Sequence, residues 1–186
     1  MMKSEINKAI NYLSMGKTIL CPTDTIWGVS CDATEFDAVE NIYLFKKRDK
    51  SKSLIVLVSS LEMLQEYVES VSNEVLVIIK ETKEPLTVIY AKAINLAANT
   101  LAEDGSIAIR LVKKGFCHEL ISGFGKPIVS SSANFSDKKT ALLFAEIDNT
   151  FKEQIDFVVN EKFESSSHKS SKIIKLLPKE IIVIRD

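Results

Sequence analysis

Histidine, cysteine and glycine are scarce in this chain of 186 residues. There are two histidines, His118 and His168, and three cysteines, none of them spaced as Cys-x-x-Cys. Two histidines are too few for a histidine-rich metal site, and the cysteine pattern predicts neither a zinc site nor a disulfide framework. Neither histidine lies near a nucleophile elbow, so no catalytic triad is predicted. We expect Cys21 and Cys31, which lie among apolar residues, to be buried.

Long hydrophobic runs are also missing. The longest, at 54–58 and 75–79, have the length of core elements, whereas a membrane-spanning helix needs about 20 apolar residues. The first six residues lack the charged-then-apolar profile of a signal peptide. We therefore expect a cytoplasmic protein that has no membrane partner.

The overall composition is that of an ordinary globular protein. Hydrophobic residues make up 46% of the chain and charged residues 26%, which excludes a mostly disordered chain. At roughly 150 residues per domain, this length predicts one domain. The formal net charge of −1 hides an asymmetry, because the stretch 46–52 alone carries five cations and one anion. Such a local excess of positive charge needs an explanation.

Hydrophobic spacing indicates interleaved helices and strands. The predicted helices lie at 4–15, 36–46, 60–70, 73–80, 116–121 and 141–153. The predicted strands lie at 18–21, 26–31, 54–58, 86–90, 106–111, 127–130, 155–159, 172–176 and 181–184. The run 54–58 is apolar throughout, so we expect a central strand. Because several consecutive strands have no helix between them, we predict an α/β fold with a mixed parallel and antiparallel sheet flanked by helices.

Four polar clusters lie at the ends of predicted strands, where open α/β sheets bind ligands. The first, 22–28, places two threonines, Asp24 and a tryptophan, Trp27, that we expect to be exposed in one turn. Its simpler interpretation is a turn held by local hydrogen bonds. The second is the basic stretch 46–52. Binding of phosphate, binding of nucleic acid and a solvated helix end all remain open for it.

The other two clusters follow later strands. Arg110 lies one residue before the end of an alternating strand and can face inward, where it would need an internal carboxylate or a ligand anion. The segment 127–136 carries three consecutive serines and an asparagine after an apolar strand. These groups can cradle phosphate or carboxylate oxygens, or they can cap a helix.

Together these clusters resemble the motifs of the YrdC/TsaC family, the threonylcarbamoyl-AMP synthases, in its short, single-domain form. The family pattern begins with Pro-Thr-(Asp/Glu)-Thr, an aromatic residue and Gly, which this chain matches at 22–28. Lys-x-Arg at 46–48 precedes Leu-Ile-Val at 54–56. A strand ending in arginine at 108–110, Ser-Ala-Asn at 132–134, and a C-terminal serine and arginine follow in the family's order.

The resemblance implies one YrdC-like domain over residues 1–186, with a twisted sheet and a concave, positively charged groove. It implies a nucleotidyltransferase that condenses L-threonine, bicarbonate and ATP into threonylcarbamoyl-AMP and releases pyrophosphate. The threonine-binding residues would be Thr25, Arg110, Ser130 and Ser171. The ATP-binding residues would be Lys46, Arg48, Lys52, Ser106, Ser132, Asn134, Thr140 and Arg185.

Such an enzyme needs no covalent protein nucleophile, because positioning and neutralisation of phosphate charge can supply the catalysis. We expect Mg²⁺ to be held mainly by the ATP phosphates and water. The linker-like segment 161–172 is predicted to cover the site. The resemblance further implies that the product serves tRNA modification, with tRNA and a separate transferase complex as further partners.

A second interpretation is an RNA-binding module that uses the same groove for double-stranded RNA or tRNA without catalysis. The hydroxyl and amide groups of Thr25, Ser132 and Asn134 favour a small-molecule pocket over a surface for a phosphate backbone. A third interpretation is a carbamoyl-transferring domain like that of hydrogenase maturation proteins. It is disfavoured because those domains lie in longer chains with zinc-finger-like segments.

Overall fold

The computed structural model describes residues 1–49, 54–165, 167, 169–177 and 180–185. Its helices are α1 (Met2–Ser14), α2 (Phe36–Lys46), α3 (Leu61–Tyr67), α4 (Asn73–Glu81), α5 (Phe116–Phe124) and α6 (Asn149–Lys152). Its strands are β1 (Ile19–Pro22), β2 (Trp27–Asp32), β3 (Ile55–Val58), β4 (Leu86–Tyr90), β5 (Ile107–Leu111), β6 (Ile128–Ser132), β7 (Phe157–Val158), β8 (Lys172–Leu177) and β9 (Glu180–Arg185). Short 3₁₀ helices lie at Ala98–Thr100, Phe144–Glu146 and Glu161–Phe163. Among these residues, no helix has the length and hydrophobicity that a membrane crossing requires.

All the described strands belong to one mixed sheet, in the order β7-β1-β2-β6-β3-β5-β4-β8-β9. The pairs β1–β7, β3–β5 and β4–β8 are parallel, and the other neighbouring pairs are antiparallel. The predicted mixed sheet is therefore confirmed. Strand β3 lies in the middle of the order, and its residues Val56, Leu57 and Val58 are fully buried. The continuous apolar run had predicted this central position.

The strand register gives the two faces of the sheet different characters. One face carries a row of valines and isoleucines contributed by neighbouring strands, namely Val29, Val129, Val56, Ile109, Val88 and Ile174. All of these side chains are buried in the hydrophobic core. The opposite face carries Ser130, Ile55, Ala108, Arg110 and Thr87 at the alternating positions. We call this second face the polar face.

The helices cover the sheet through amphipathic sides. Helix α1 buries Ile6, Ala9 and Leu13 and contacts β1, β2 and α5. Helix α5 contacts β1 and β3, and α3 contacts β3 and β5. The buried cysteines Cys21 and Cys31 lie in the same core, as their apolar surroundings predicted.

The predicted helix at 141–153 is wrong for most of its length. The structure has the 3₁₀ turn Phe144–Glu146 and then the single-turn helix α6. The Glu146 carboxylate accepts backbone hydrogen bonds from Leu142 and Leu143, and the Asp148 carboxylate accepts one from Thr150. Acidic side chains that bind local backbone N–H groups start new turns and compete with a continuous helix.

Candidate active site

A pocket of about 330 Å³ lies on the polar face of the sheet. Its floor includes Gly28 from β2, Ile55 from β3, Ala108 from β5 and Ile89 from β4. Eight of the predicted site residues line it: Thr25, Arg48, Arg110, Ser130, Ser132, Thr140, Ser171 and Arg185. Residues from nearly the whole length of the sequence therefore meet in one place. We call it the sheet-face pocket.

A second pocket of about 420 Å³ continues from the first and shares Arg48, Ser132 and Thr140 with it. Lys46 and Asn134 line this second pocket, together with the carboxylates Asp49 and Asp137 and several other polar residues. We call it the polar pocket. The two pockets meet at these three shared residues, and hydroxyl groups, amides, cations and two carboxylates are among the groups that line them.

Among the predicted site residues that the structure describes, Ser106 is not brought into either pocket. Ser106 is buried at the turn before β5, where its backbone N–H donates to the Asp104 side chain. Neither pocket is lined by it. Lys52 lies outside the described residues, as do the other residues of the basic stretch beyond Asp49.

A third cavity, of about 440 Å³, is larger than the sheet-face pocket but has a different chemistry. It lies beside the turn Pro22–Asp24, and Leu86, Leu111, Phe116 and Phe163 give it apolar walls. None of the predicted site residues lines it. Because the predicted site residues converge in the sheet-face pocket and none of them lines this cavity, we place the candidate site on the polar face.

Arg110 is held inside the sheet-face pocket by the first motif. Its Nε atom lies 3.1 Å from the Asp24 carboxylate, and only 5% of the arginine side chain is exposed. Its Nη2 atom donates to Thr25 Oγ1 at 3.3 Å, and that oxygen lies 2.8 Å from Thr23 Oγ1. The sequence left open an internal carboxylate or a ligand as the partner of this arginine. The structure supplies the carboxylate, and the guanidinium still lines the pocket.

Ser130 and Gly28 are in close contact across the β2–β6 pair. A Cβ atom on Gly28 would collide with Ser130 Oγ and would lie 3.3 Å from the backbone oxygen of Ser131. A side chain at position 28 would therefore displace the serine hydroxyl from the pocket wall. The glycine of the first motif leaves room for a hydroxyl of the fourth.

Ser171, just before β8, and Arg185, in β9, also line the sheet-face pocket. The Ser171 hydroxyl lies 2.8 Å from Thr87 Oγ1, and its backbone oxygen accepts hydrogen bonds from Arg185 Nε and Nη2 at 3.0 and 2.8 Å. Burial, and then the charge of Arg110, lowers the pKa of the Arg185 side chain. The combined positive charge of these two guanidinium groups creates a place where an anion is stabilised.

Lys46, which is predicted to bind ATP, lines the polar pocket and is held there by backbone carbonyl groups. Its side chain is 1% exposed, and its ammonium group donates to the backbone oxygens of Ser132 and Asn134. Burial, and then Arg48, lowers the pKa of Lys46 to about 7. Arg48 is the cation of this motif that lines both pockets.

The prediction that Trp27 is exposed is wrong. Its side chain is 1% exposed, packs against Phe144 with ring centroids 4.7 Å apart, and donates from Nε1 to the Glu164 carboxylate at 2.7 Å. The same carboxylate oxygen accepts the backbone N–H of Phe144 at 2.6 Å. Glu164 thus connects the segment 161–172, which is predicted to cover the site, to Trp27 of the first motif.

Sequence reasoning missed the roles of Asp24 and Thr87. Asp24 was noted within its motif, and the inward-facing arginine required some carboxylate, but no pattern connected the two across 86 residues of chain. Thr87 lies opposite Arg110 in the β4–β5 register. A threonine alternating with apolar residues on a predicted strand was the only signal that could have indicated it.

Comparison with known proteins identifies the chain's relatives. The model of the Sua5, YciO and YrdC family, described as telomere recombination, matches residues 11–186. The chain is 31% identical over 172 residues to the threonylcarbamoyl-AMP synthase of Pseudoalteromonas translucida. That match covers 91% of this chain and 92% of the relative.

Solved structures share the fold. The crystal structure of P. abyssi Sua5 complexed with L-threonine matches with a TM-score of 0.86 and 23% identity, over 97% of this chain and 53% of that one. This chain therefore spans about half of that Sua5 chain. Full-length HypF in its phosphate- and nucleotide-bound form matches with a TM-score of 0.83 and 21% identity, over 97% of this chain and 28% of that one. The predicted fold class is confirmed.

Proposed function

Because the chain belongs to the Sua5/YciO/YrdC family, we propose that it is a threonylcarbamoyl-AMP synthase, which condenses L-threonine, bicarbonate and ATP and releases pyrophosphate. The observation that carries the proposal is the meeting of Thr25, Arg110, Ser130, Ser171 and Arg185 in one pocket. A small amino acid and a nucleotide both need this mixture of hydroxyl groups and guanidinium groups.

The threonine subsite lies around Arg110. The guanidinium, fixed by Asp24 and Thr25, offers charge-assisted hydrogen bonds to a carboxylate. Ser130 and Ser171 supply hydroxyl groups on either side, from β6 and from the residue before β8. The threonine seen in the Sua5 complex supports placing this amino acid within the fold.

The ATP subsite lies where the sheet-face pocket meets the polar pocket. Arg48, Ser132 and Thr140 line both pockets, and Arg185 lines the sheet-face pocket. Asn134 lines the polar pocket, and its side-chain amide donates to the backbone oxygens of Phe135 and Lys138, which orders the loop around it. Full-length HypF, about a quarter of which matches this chain, is itself a nucleotide-bound protein.

The chemistry requires positioned cations and no protein nucleophile. The threonine amine and bicarbonate form a carbamate with loss of water. A carbamate oxygen then attacks the α-phosphorus, the bond from that phosphorus to the bridging oxygen breaks, and pyrophosphate leaves with the electron pair. Arg48 and Arg185 would stabilise the charge that develops on the phosphate oxygens.

Magnesium would enter with ATP and neutralise phosphate charge when bound. In the part of the chain that the structure describes, no group of three histidine, cysteine or acidic residues could hold a metal ion by itself. The carboxylates of Asp49 and Asp137 line the polar pocket and are the acidic groups available there. Phosphate oxygens and water would therefore provide most of the ligands.

We also propose that the adenylate is consumed by a separate transferase complex that modifies tRNA in the cytoplasm. Threonylcarbamoyl-AMP is an activated mixed anhydride, so it must be passed to an acceptor before water hydrolyses it. The name of the P. translucida relative supports the adenylate as product.

Pyrophosphate release by the purified protein tests the proposal. Release from ATP should require both L-threonine and bicarbonate, and replacing threonine by serine should reduce it strongly. Undiminished pyrophosphate release when L-threonine or bicarbonate is left out would contradict the proposal. If no release and no ATP binding occur, a salt titration of tRNA binding would test the RNA-binding alternative.

A further inference from the structure

Lys46 is the last residue of α2, and its ammonium group is turned into the protein. The ammonium donates to the backbone oxygens of Ser132 and Asn134, the second at 2.6 Å, and lies 5.4 Å from the centre of the Phe151 ring. Its side chain is 1% exposed. A buried lysine is rare unless its charge and its N–H groups are satisfied, and here the satisfying groups are backbone carbonyls and an aromatic face.

The backbone of Lys46 holds the same loop from the other direction. The Lys46 carbonyl oxygen accepts the N–H of Ser136 at 3.3 Å. The Ser132 carbonyl, besides receiving the lysine, accepts the N–H of Asn134 at 2.9 Å. Three contacts from one residue therefore tie the 132–136 loop to the end of α2.

The end of α2 also fixes the backbone position of Arg48. Lys47 adopts a left-handed conformation with φ 50°, and the N–H of Arg48 donates to the Tyr43 carbonyl at 3.0 Å. This arrangement ends the helix and directs the chain away from its axis. Lys46 thus lies between two parts of the candidate nucleotide site, with Arg48 on one side and Ser132 on the other.

We propose that Lys46 is a positioning residue that sets the distance between Arg48 and the Ser132 loop, and that it does not itself bind phosphate. This inference rests on the proposed function for the identity of the nucleotide. Its lowered pKa fits the same role, because even a neutral amine keeps two N–H groups for two carbonyls, whereas a phosphate ligand depends on its charge.

Calorimetric titration with ATP alone tests this role, because it requires no turnover. In Lys46→Met both carbonyls lose their buried donor, and we expect ATP to bind about tenfold more weakly. Lys46→Gln keeps N–H donors without the charge and should lose no more than about threefold. The control Lys8→Met removes a charge from an exposed side chain of α1 that lines neither pocket, and it should bind ATP as the wild type does. The affinity for threonine should change less than about twofold in all three variants.

The opposite pattern would identify a direct phosphate contact. In that case Gln at position 46 would be as poor as Met, because both lack the charge. Lys46→Arg provides a second comparison if the Met variant does not fold. Arginine keeps the charge but is too large for a site with 1% exposure, so positioning predicts weaker ATP binding and a phosphate contact predicts retention.

Thermal unfolding of each variant accompanies the titrations. Weaker ATP binding in Lys46→Met, near-wild-type ATP binding in Lys46→Gln and unchanged threonine binding in both support the positioning role. Equal losses of ATP binding in the two variants, or an equal loss for both ligands, overturn it. A wild-type protein that binds ATP but releases no pyrophosphate would contradict the proposed function and leave the Lys46 comparison intact. A wild-type protein that does not bind ATP would overturn both.

Discussion

Arg110 Nε lies 3.1 Å from Asp24 Oδ1, although 86 residues separate them in the sequence. Both side chains are largely buried, so the guanidinium has its counter-ion before any substrate arrives. Asp24 belongs to the same turn as Thr25, which also receives a hydrogen bond from Arg110. Asp24 and Thr25 of the first motif therefore position Arg110, which we assign to the threonine carboxylate.

Replacing Arg110 with lysine tests this arrangement. Lysine keeps a positive charge but cannot contact Asp24, Thr25 and a carboxylate together. We expect the KM for threonine to rise by about ten- to a hundredfold, while the KM for ATP changes little. Steady-state pyrophosphate release with each substrate varied in turn provides the measurement. An equal rise in both constants would contradict the assignment of Arg110 to threonine.

Removing Arg110 entirely should also reduce stability. Arg110→Ala leaves the Asp24 carboxylate buried without its cation, and loss of one partner from a buried pair costs about 3–5 kcal/mol. Urea denaturation should show a lower midpoint than the wild type. The double variant Arg110→Ala with Asp24→Ala should recover part of the loss, because no unpaired charge remains. If the free-energy loss in the double variant equals the sum of the losses in the two single variants, the two residues do not interact.

Gly28→Ala tests the close contact with Ser130. The added methyl group must displace the serine hydroxyl, so we expect a destabilisation of about 1–3 kcal/mol and a higher KM for threonine. Gly123→Ala is the matched control, because its Cβ would lie 3.0 Å from Ile10 Cδ1 at the α1–α5 contact, and neither residue lines the sheet-face pocket. The control should change stability alone. A higher threonine KM in both variants would show that stability, and not the position of Ser130, explains the result.

Arg48→Ala should weaken ATP binding without affecting threonine. Arg48 lines both pockets, and a charge-assisted contact to phosphate is worth about ten- to a hundredfold in affinity. Lys8 of α1 provides the control, since Lys8→Ala removes the same charge from an exposed side chain that lines neither pocket. Initial rates at varied ATP distinguish the two. Similar losses in both variants would indicate a general electrostatic effect and not a specific contact.

The single tryptophan reports on the Glu164 contact. Trp27 is buried, and its indole N–H is satisfied by the Glu164 carboxylate. In Glu164→Ala the N–H loses its acceptor and the 164–171 segment loses an anchor, so acrylamide should quench the fluorescence several times more efficiently. Glu161→Ala, which removes an exposed carboxylate from the adjacent 3₁₀ turn, should leave quenching unchanged. Equal quenching in all three proteins would contradict the anchoring role.

The sequence predicted the fold well where one signal dominated. The apolar run at 54–58 predicted a central strand, and the missing helices between strands predicted a mixed sheet. Both are confirmed. The predicted helix at 141–153 is wrong because helical spacing of apolar residues does not by itself keep a helix continuous. The carboxylates of Glu146 and Asp148 bind nearby backbone N–H groups instead, which the spacing does not reveal.

The sequence predicted which residues line the site, but it did not predict the contacts that these residues make with one another. Eight predicted residues line the sheet-face pocket because strand ends that are distant in sequence become neighbours in the sheet. The direction of Lys46 could not be foreseen. A lysine in a basic stretch is expected to face solvent, and only the folded 132–136 loop offers the carbonyls that hold it. The burial of Trp27 likewise depends on Phe144 and Glu164, which lie more than a hundred residues away.

The most direct test of the central claim is to identify the product by mass spectrometry. The purified protein would be incubated with ATP, L-threonine and ¹³C-labelled bicarbonate. The account predicts an adenylate that contains threonine and gains one mass unit from the label, and its absence when either co-substrate is omitted. An adenylate that carries no label, or AMP and pyrophosphate formed without threonine, would contradict it.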